Sequence, residues 1–198
     1  SKLKNIFYWI SLFFLRFLNP ELASHISLET LKKLQTLKEF FTKSNKEFHV
    51  QESNSKFIHA GNLKFDNYLG LAAGLDKEGK YFSALGALGF GFVEVGTFTP
   101  YRQKGNDLPR IKRIPYEKSL INRLGFNNPG ISQGIKNISL SRHKYSGVLG
   151  ISIGKSLSTP LDRAYEDYVF CLKACYEYAD YIAINISSPN TEGLRELS

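Results

Sequence analysis

Little in this 198-residue chain supports metal or disulfide chemistry. Only two cysteines occur, Cys171 and Cys175, four apart and so on one face of a predicted helix, with no second pair and no adjacent histidine. His25, His49, His59 and His143 are scattered without metal-ligand spacing. No metal site is therefore expected, and the cysteines read as small buried hydrophobes in a reducing compartment. Methionine is absent altogether, initiator included, so the N-terminus is expected to be trimmed or engineered. Zinc-finger spacing, basic–aromatic repeats and RNA-binding signatures are also missing, which sets nucleic acid aside as a partner despite a net charge of +8. No apolar run is long enough to span a membrane. The stretch from Leu3 to Leu18 covers 16 residues, against the roughly 20 a spanning helix needs, and no small-residue cleavage site follows it.

What is present begins with an uneven charge. Residues 1–64 hold ten Lys or Arg against five Asp or Glu, and the remainder sixteen against thirteen. A basic N-terminal region suits an anionic membrane surface. There Trp9 and a cluster of phenylalanines sit beside Lys2, Lys4 and Arg16, and Pro20 is well placed in the first turn of a second helix. Leu22, Ile26, Leu31 and Leu34 give that helix an apolar stripe opposite Lys32 and Lys33. Residues 1–41 are expected to form an amphipathic helical hairpin lying in the membrane interface, with residues 42–62 as a polar linker. The alternative is a helical arm packed on the rest of the fold or on a partner subunit.

Four short apolar strands come next, expected near residues 69–73, 91–96, 148–152 and 181–185, with helical patterns between them. Each ends in small, polar or basic residues, which argues for parallel βα units. The expected fold class is α/β, and functional groups gathered at strand C-termini suit a (β/α)8 TIM barrel or a doubly wound sheet. A complete barrel typically needs about 250 residues. Residues 63–198 are accordingly read as its first half, with the C-terminal half as a missing partner. Thr159 and Pro160 read as the cap and first turn of a helix whose buried stripe is Leu161, Tyr165, Tyr168, Leu172 and Cys175.

Three stretches carry polar chemistry. Gly70 to Gly74 puts small residues at a strand end, where a flat ring could lie against the backbone, and Asp76 and Lys77 follow at once. Lys77 supplies a fixed positive charge for a carboxylate or an electron-rich cofactor. Asn122 to Asn128 is rich in amides and lies in a connection over residues 100–130 that is too long for a plain linker. Asn185-Ile186-Ser187-Ser188-Pro189-Asn190-Thr191 closes a buried strand with amides and hydroxyls, groups that can bind a polar ring without adding charge.

These motifs, with Val93 to Thr97 and Gly150 to Lys155, resemble in order and spacing those of the class 2 dihydroorotate dehydrogenases, membrane-associated, quinone-reducing flavoenzymes of pyrimidine synthesis. The resemblance covers essentially the whole chain. It implies that Ala73, Gly74, Leu75, Asp76, Lys77, Thr97, Ser152 and Asn185 hold FMN. It implies further that Lys77, Asn122, Arg123, Leu124, Gly125, Phe126, Asn185 and Asn190 hold dihydroorotate or its product orotate. Ser188 would be the base that removes the C5 proton while hydride leaves C6 for flavin N5. A serine is a weak base at neutral pH and needs a relay or a closed, desolvated pocket. Where Ser152 and Ser156 stand, the family often has Asn, and a hydroxyl reaches less far than an amide. Tyr68 stands where proline is common, which concerns strand entry.

The implied partner is ubiquinone or menaquinone, and the implied location is peripheral, on the cytoplasmic face of a bacterial inner membrane or alternatively on the mitochondrial inner membrane. Deleting residues 1–40 is expected to abolish quinone reduction and membrane association while sparing dihydroorotate oxidation. Two other readings use the same residues. A soluble class 1 relative would carry cysteine where Ser188 stands, and a non-catalytic fragment would use the arm as an interaction module.

Overall fold

The computed structural model describes residues 13–44 and 58–188. Most of the first expected helix lies outside these residues; positions 13–17 are helical. The next helix, α1 (Pro20–Ser44), opens as its sequence suggests. The Asn19 side-chain oxygen accepts the Glu21 backbone N–H at 2.9 Å, and Pro20, which has no N–H to lose, sits in the first turn. The stripe expected on α1 is displaced. Ala23 and Leu28 are buried and Leu31 packs against the core, whereas Leu22, Ile26 and Leu34 are exposed. Polar contacts fix this orientation, with the Tyr81 hydroxyl donating to Glu29 at 2.5 Å and the Gln35 amide donating to Ser83 at 2.9 Å. The helix is therefore part of the fold rather than a detachable arm. Phe13, Phe14 and Phe17 remain largely exposed beside it. Among the described residues no helix is long and apolar enough to cross a membrane.

Across the expected linker boundary, β1 (Ile58–Ala60) and β2 (Leu63–Phe65) form an antiparallel hairpin. The main sheet consists of β3 (Gly70–Leu71), β4 (Phe92–Phe98), β7 (Val148–Ile153) and β8 (Tyr181–Ile184), all parallel and in that spatial order. Each falls within two residues of a strand expected from sequence. Between them run α2 (Phe82–Gly86), a second hairpin of β5 (Ile111–Ile114) and β6 (Ser119–Asn122), α3 (Ile131–Ser141) and α4 (Ala164–Cys175). Parallel strands joined through helices make this an α/β fold.

Val93, Val95, Leu149 and Ile151 are fully buried and cluster with Phe82, Ile131, Ile138, Cys171 and Cys175 from the helices. Burial pushes the Cys175 thiol up to about 11 and that of Cys171 higher still, so both are packing groups at neutral pH. The start of α4 differs from expectation. Leu161–Arg163 form a 3-10 turn before the helix begins at Ala164, and no side chain caps it. That turn rotates the buried face to Ala164, Cys171 and Cys175 and leaves Tyr165 and Leu172 outside.

Candidate active site

The site sits where the parallel strands end. The Gly74 N–H donates to the Gly96 carbonyl and the Gly96 N–H to the Asp76 carbonyl, both at 2.9 Å, so the segment after β3 is laced to the end of β4. The β4–β7 register shifts between Val95 and Phe98, breaking the simple alternation of the strand. Thr97 then faces the same cleft as Asn185, which lies just past β8. The Asn185 amide donates to the Thr97 hydroxyl at 3.0 Å, and Thr97 shares a 2.8 Å hydrogen bond with Ser152 on β7. The other end of the Asn185 amide accepts the Ser187 N–H at 3.2 Å, and the Tyr168 hydroxyl donates to the Asn185 carbonyl at 3.0 Å. Three strands thus meet in one chain of polar contacts.

The opposite wall comes from the long connection. Leu124, Gly125, Phe126 and Asn127 line it, held by polar side chains bonded to main chain. Gln103 donates to the Gly125 carbonyl at 2.9 Å, and the Asn106 amide to the Arg123 carbonyl at 2.9 Å. Buried Asn128 donates to the Phe126 carbonyl at 2.7 Å and to the Thr99 hydroxyl at 2.9 Å, and accepts from the N–H groups of Thr99 and Gly130. Floor and wall enclose a cleft of about 330 Å³.

Ala73, Gly74, Lys77, Thr97, Asn122, Leu124, Gly125, Phe126, Asn185 and Ser188, all expected from sequence, line this one cleft. Asn190 lies outside the described residues. The side chains of four others are placed elsewhere. Asp76 is 1% exposed, and its carboxylate accepts the N–H groups of Glu78, Lys80 and Tyr81, so it caps the turn into α2. Leu75 faces a second cavity beside α1. Arg123 turns outward onto the Pro109 carbonyl. Ser152 is buried behind Thr97 and reaches the cleft only through it. The cleft also includes Gly96, Asn127 and Ser187, which lie within the motifs singled out in the sequence but were assigned no role there. Asn127 continues the amide-rich run, and its buried side-chain oxygen has no hydrogen-bond partner in the described protein.

Among the lining residues Lys77 is the sole charged group. Burial holds its ammonium below the usual lysine range, opposed by the Glu21 carboxylate and reinforced by Arg110. One cation among amides and hydroxyls suits an anionic, planar, hydrogen-bonding molecule. At Gly74, with φ +109°, a Cβ would meet nothing within 4 Å. Bare backbone therefore borders open space, and a flat cofactor could lie against it. Lys77 and Asn127 also border the second cavity, about 710 Å³ between α1 and the sheet end.

The family model described as dihydroorotate dehydrogenase matches residues 57–198. A curated protein of Cellvibrio japonicus named dihydroorotate dehydrogenase (quinone) is 49% identical over 180 residues, covering 91% of this chain and 50% of the relative. A protein of the same name from Yersinia enterocolitica is 50% identical over 181 residues, covering 91% of this chain and 51% of its own length. The chain thus spans about half the length of the curated relatives it matches. Among solved structures, that of DHODH from Eimeria tenella in complex with ferulenol superposes with a TM-score of 0.76 at 35% identity, covering 91% of this chain and 47% of the other.

Proposed function

Because the chain belongs to the dihydroorotate dehydrogenase family, we propose that it supplies the flavin-facing floor and the substrate wall of a quinone-dependent dihydroorotate dehydrogenase acting in pyrimidine synthesis. The observation that carries this reading is the convergence of Lys77, the Asn122–Asn127 wall and the Asn185–Ser188 segment on one cleft. Its single cation matches a single carboxylate, and its amides match the ring amide groups of dihydroorotate. In this reading the four parallel strands belong to a (β/α)8 barrel, with residues 1–41 as arm, 42–62 as connection and 63–198 as barrel segment.

The cleft fits FMN. Open space beside Gly74, the Thr97 hydroxyl, the Asn185 amide and the Lys77 ammonium offer a flat surface, hydrogen bonds and a positive charge. FMN, when bound, would accept the hydride removed from dihydroorotate. The rest is done by the chain's own groups. Lys77 and the wall amides hold the carboxylate and ring, and Asn190 and Asn185 add hydrogen bonds. Ser188 takes the C5 proton. The exposed aromatics Phe13, Phe14 and Phe17 support an arm that rests on a membrane surface and receives a ubiquinone or menaquinone. Peripheral attachment to the cytoplasmic face of a bacterial inner membrane belongs to the same reading.

The test is anaerobic addition of dihydroorotate to the purified, natural-length protein, and then of a quinone. Bleaching of a bound flavin and its reoxidation by quinone are expected. A protein that retains no flavin, or whose flavin stays oxidised, overturns the reading. Truncation should remove residues 1–18 rather than 1–40, because a cut at 40 strips Ala23 and Leu28 from the core and takes away the Glu29 partner of Tyr81. The shorter truncation is expected to lose quinone reduction while a soluble dye is still reduced.

A further inference from the structure

One ion pair joins α1 to the wall of the cleft. The Arg110 guanidinium grips the Glu21 carboxylate with two teeth, its Nε lying 2.9 and 3.1 Å from the two oxygens and its second terminal nitrogen 2.9 Å from Oε1. The side chains are only 13% and 25% exposed, so solvent screens the pair weakly. The remaining terminal nitrogen of Arg110 donates to the Lys104 carbonyl at 2.7 Å and to the Asn106 carbonyl at 3.2 Å. That turn is bonded in its own right to the substrate wall. The Asn106 N–H donates to the Leu124 carbonyl at 3.0 Å, its amide to the Arg123 carbonyl at 2.9 Å, and the Arg110 carbonyl accepts the Arg123 N–H at 2.8 Å. Every link from Glu21 to Leu124 is a hydrogen bond to main chain or a charge-assisted bond.

We propose that Glu21 and Arg110 are positioning residues for the substrate: the carboxylate on α1 orients the guanidinium, which sets the 104–106 turn and through it the Asn122–Phe126 wall. Neither touches the substrate. The inference rests on the dihydroorotate reading, and it makes the first turn of α1 part of substrate binding, where the sequence suggested membrane and quinone contact or a packed helical arm. A plain anchor for the arm would not require this geometry. Arg113 already anchors the preceding segment, donating to the carbonyls of Leu15, Arg16 and Leu18 at 3.2, 3.1 and 2.7 Å, and none of its bonds continues to the cleft.

The experiment compares Glu21→Gln, Arg110→Lys and Arg113→Ala in the natural-length, FMN-loaded protein by two readouts. Orotate is titrated against the flavin absorbance, and backbone amide exchange is followed over residues 104–127. Glu21→Gln keeps the shape and loses the charge, and Arg110→Lys keeps the charge and loses the fork. Each is expected to weaken orotate by roughly tenfold, the scale of one charge-assisted hydrogen bond, with flavin retained and exchange faster over 104–127 but unchanged over 92–98. Arg113→Ala is expected to leave orotate affinity and that exchange alone. Wild-type affinity and exchange in Glu21→Gln, or equal loss of affinity in Arg113→Ala, overturns the proposal. Should the wild-type flavin fail to respond to orotate, the dihydroorotate reading fails instead, and the exchange comparison still decides whether the pair braces the wall.

Discussion

The two sides of the cleft are built by different means. The floor is the end of a parallel sheet, in which Val95 and Ile151 are fully buried behind Thr97 and Ser152 and ladder hydrogen bonds run up to Val95 on β4 and to Ile184 on β8. The wall is an excursion whose nearest strand, β6, is exposed along its whole length. Its shape depends on Gln103, Asn106, Arg110 and Asn128, each bonding main chain through one side chain. A floor of this kind resists single polar deletions because packing and backbone share the load. A wall of this kind does not. Reactive groups on the floor should therefore fail in rate when changed, and groups behind the wall should fail in affinity or local stability.

The floor gives the largest expected effect. Ser188→Ala should slow dihydroorotate-driven flavin reduction by about 10²- to 10⁴-fold, the range for losing a positioned base, while FMN stays bound through Thr97, Asn185 and Lys77. Stopped-flow absorbance in the flavin band measures it. Reduction at the wild-type rate would remove Ser188 from the mechanism and leave the floor without its reactive group.

A smaller effect is expected in the wall. Asn128 is 7% exposed and its side chain makes four hydrogen bonds, three of them to the loop ends at Thr99 and Gly130. Asn128→Ala strands buried partners and should cost about 1–3 kcal/mol, read as a lowered thermal midpoint. Orotate affinity should fall with it, while the rate of flavin reduction at saturating dihydroorotate stays near wild type. A variant with unchanged affinity and a slowed rate would erase the distinction between the two sides.

The sequence carried the floor better than the wall, for a physical reason. Apolar runs such as Phe92 to Val95 and Tyr181 to Ile184 declare strands, and the residues just past each run must lie at the sheet end, although β8, expected to be buried, is only half-buried in the described residues and its Ile184 is exposed. The segments that carry Lys77, Thr97, Asn185 and Ser188 could therefore be placed at the sheet end from order, while the roles given to these residues came from the family resemblance. The wall has no such periodicity. Arg123 stands inside the amide-rich run yet points away onto Pro109, and Asn127 lies in the cleft although its neighbour Asn128 turns behind it. The 3-10 turn at Leu161–Arg163 shows the same limit, since one extra tight turn rotated the face of α4 without leaving a mark in its composition. Nor does the sequence mark that the Asp76 carboxylate accepts three backbone N–H groups of its own loop.

The smallest effect, and the one that probes both sides together, is the pH response of Lys77. Four charged groups act on it: Glu21 on α1, Arg110 at the base of the wall, and Asp76 and Glu78 in its own loop. Burial outweighs the carboxylates and holds its ammonium below the usual lysine range. Between that lowered value and the ordinary one the unfolded chain carries the proton and the folded chain does not. Stability from this group therefore rises with pH across the window. Orotate affinity should run the other way, because the cation proposed to hold the carboxylate is lost as pH climbs through the lowered value. The difference between wild type and Lys77→Met isolates both slopes, using chemical denaturation for the first and flavin-band titration for the second. Glu21→Gln removes the main raising influence, so the fall in orotate affinity should begin at lower pH than in wild type. An alkaline limb at the same pH in both proteins would mean that Lys77 does not feel α1, and that the arm and the cleft meet only through the wall.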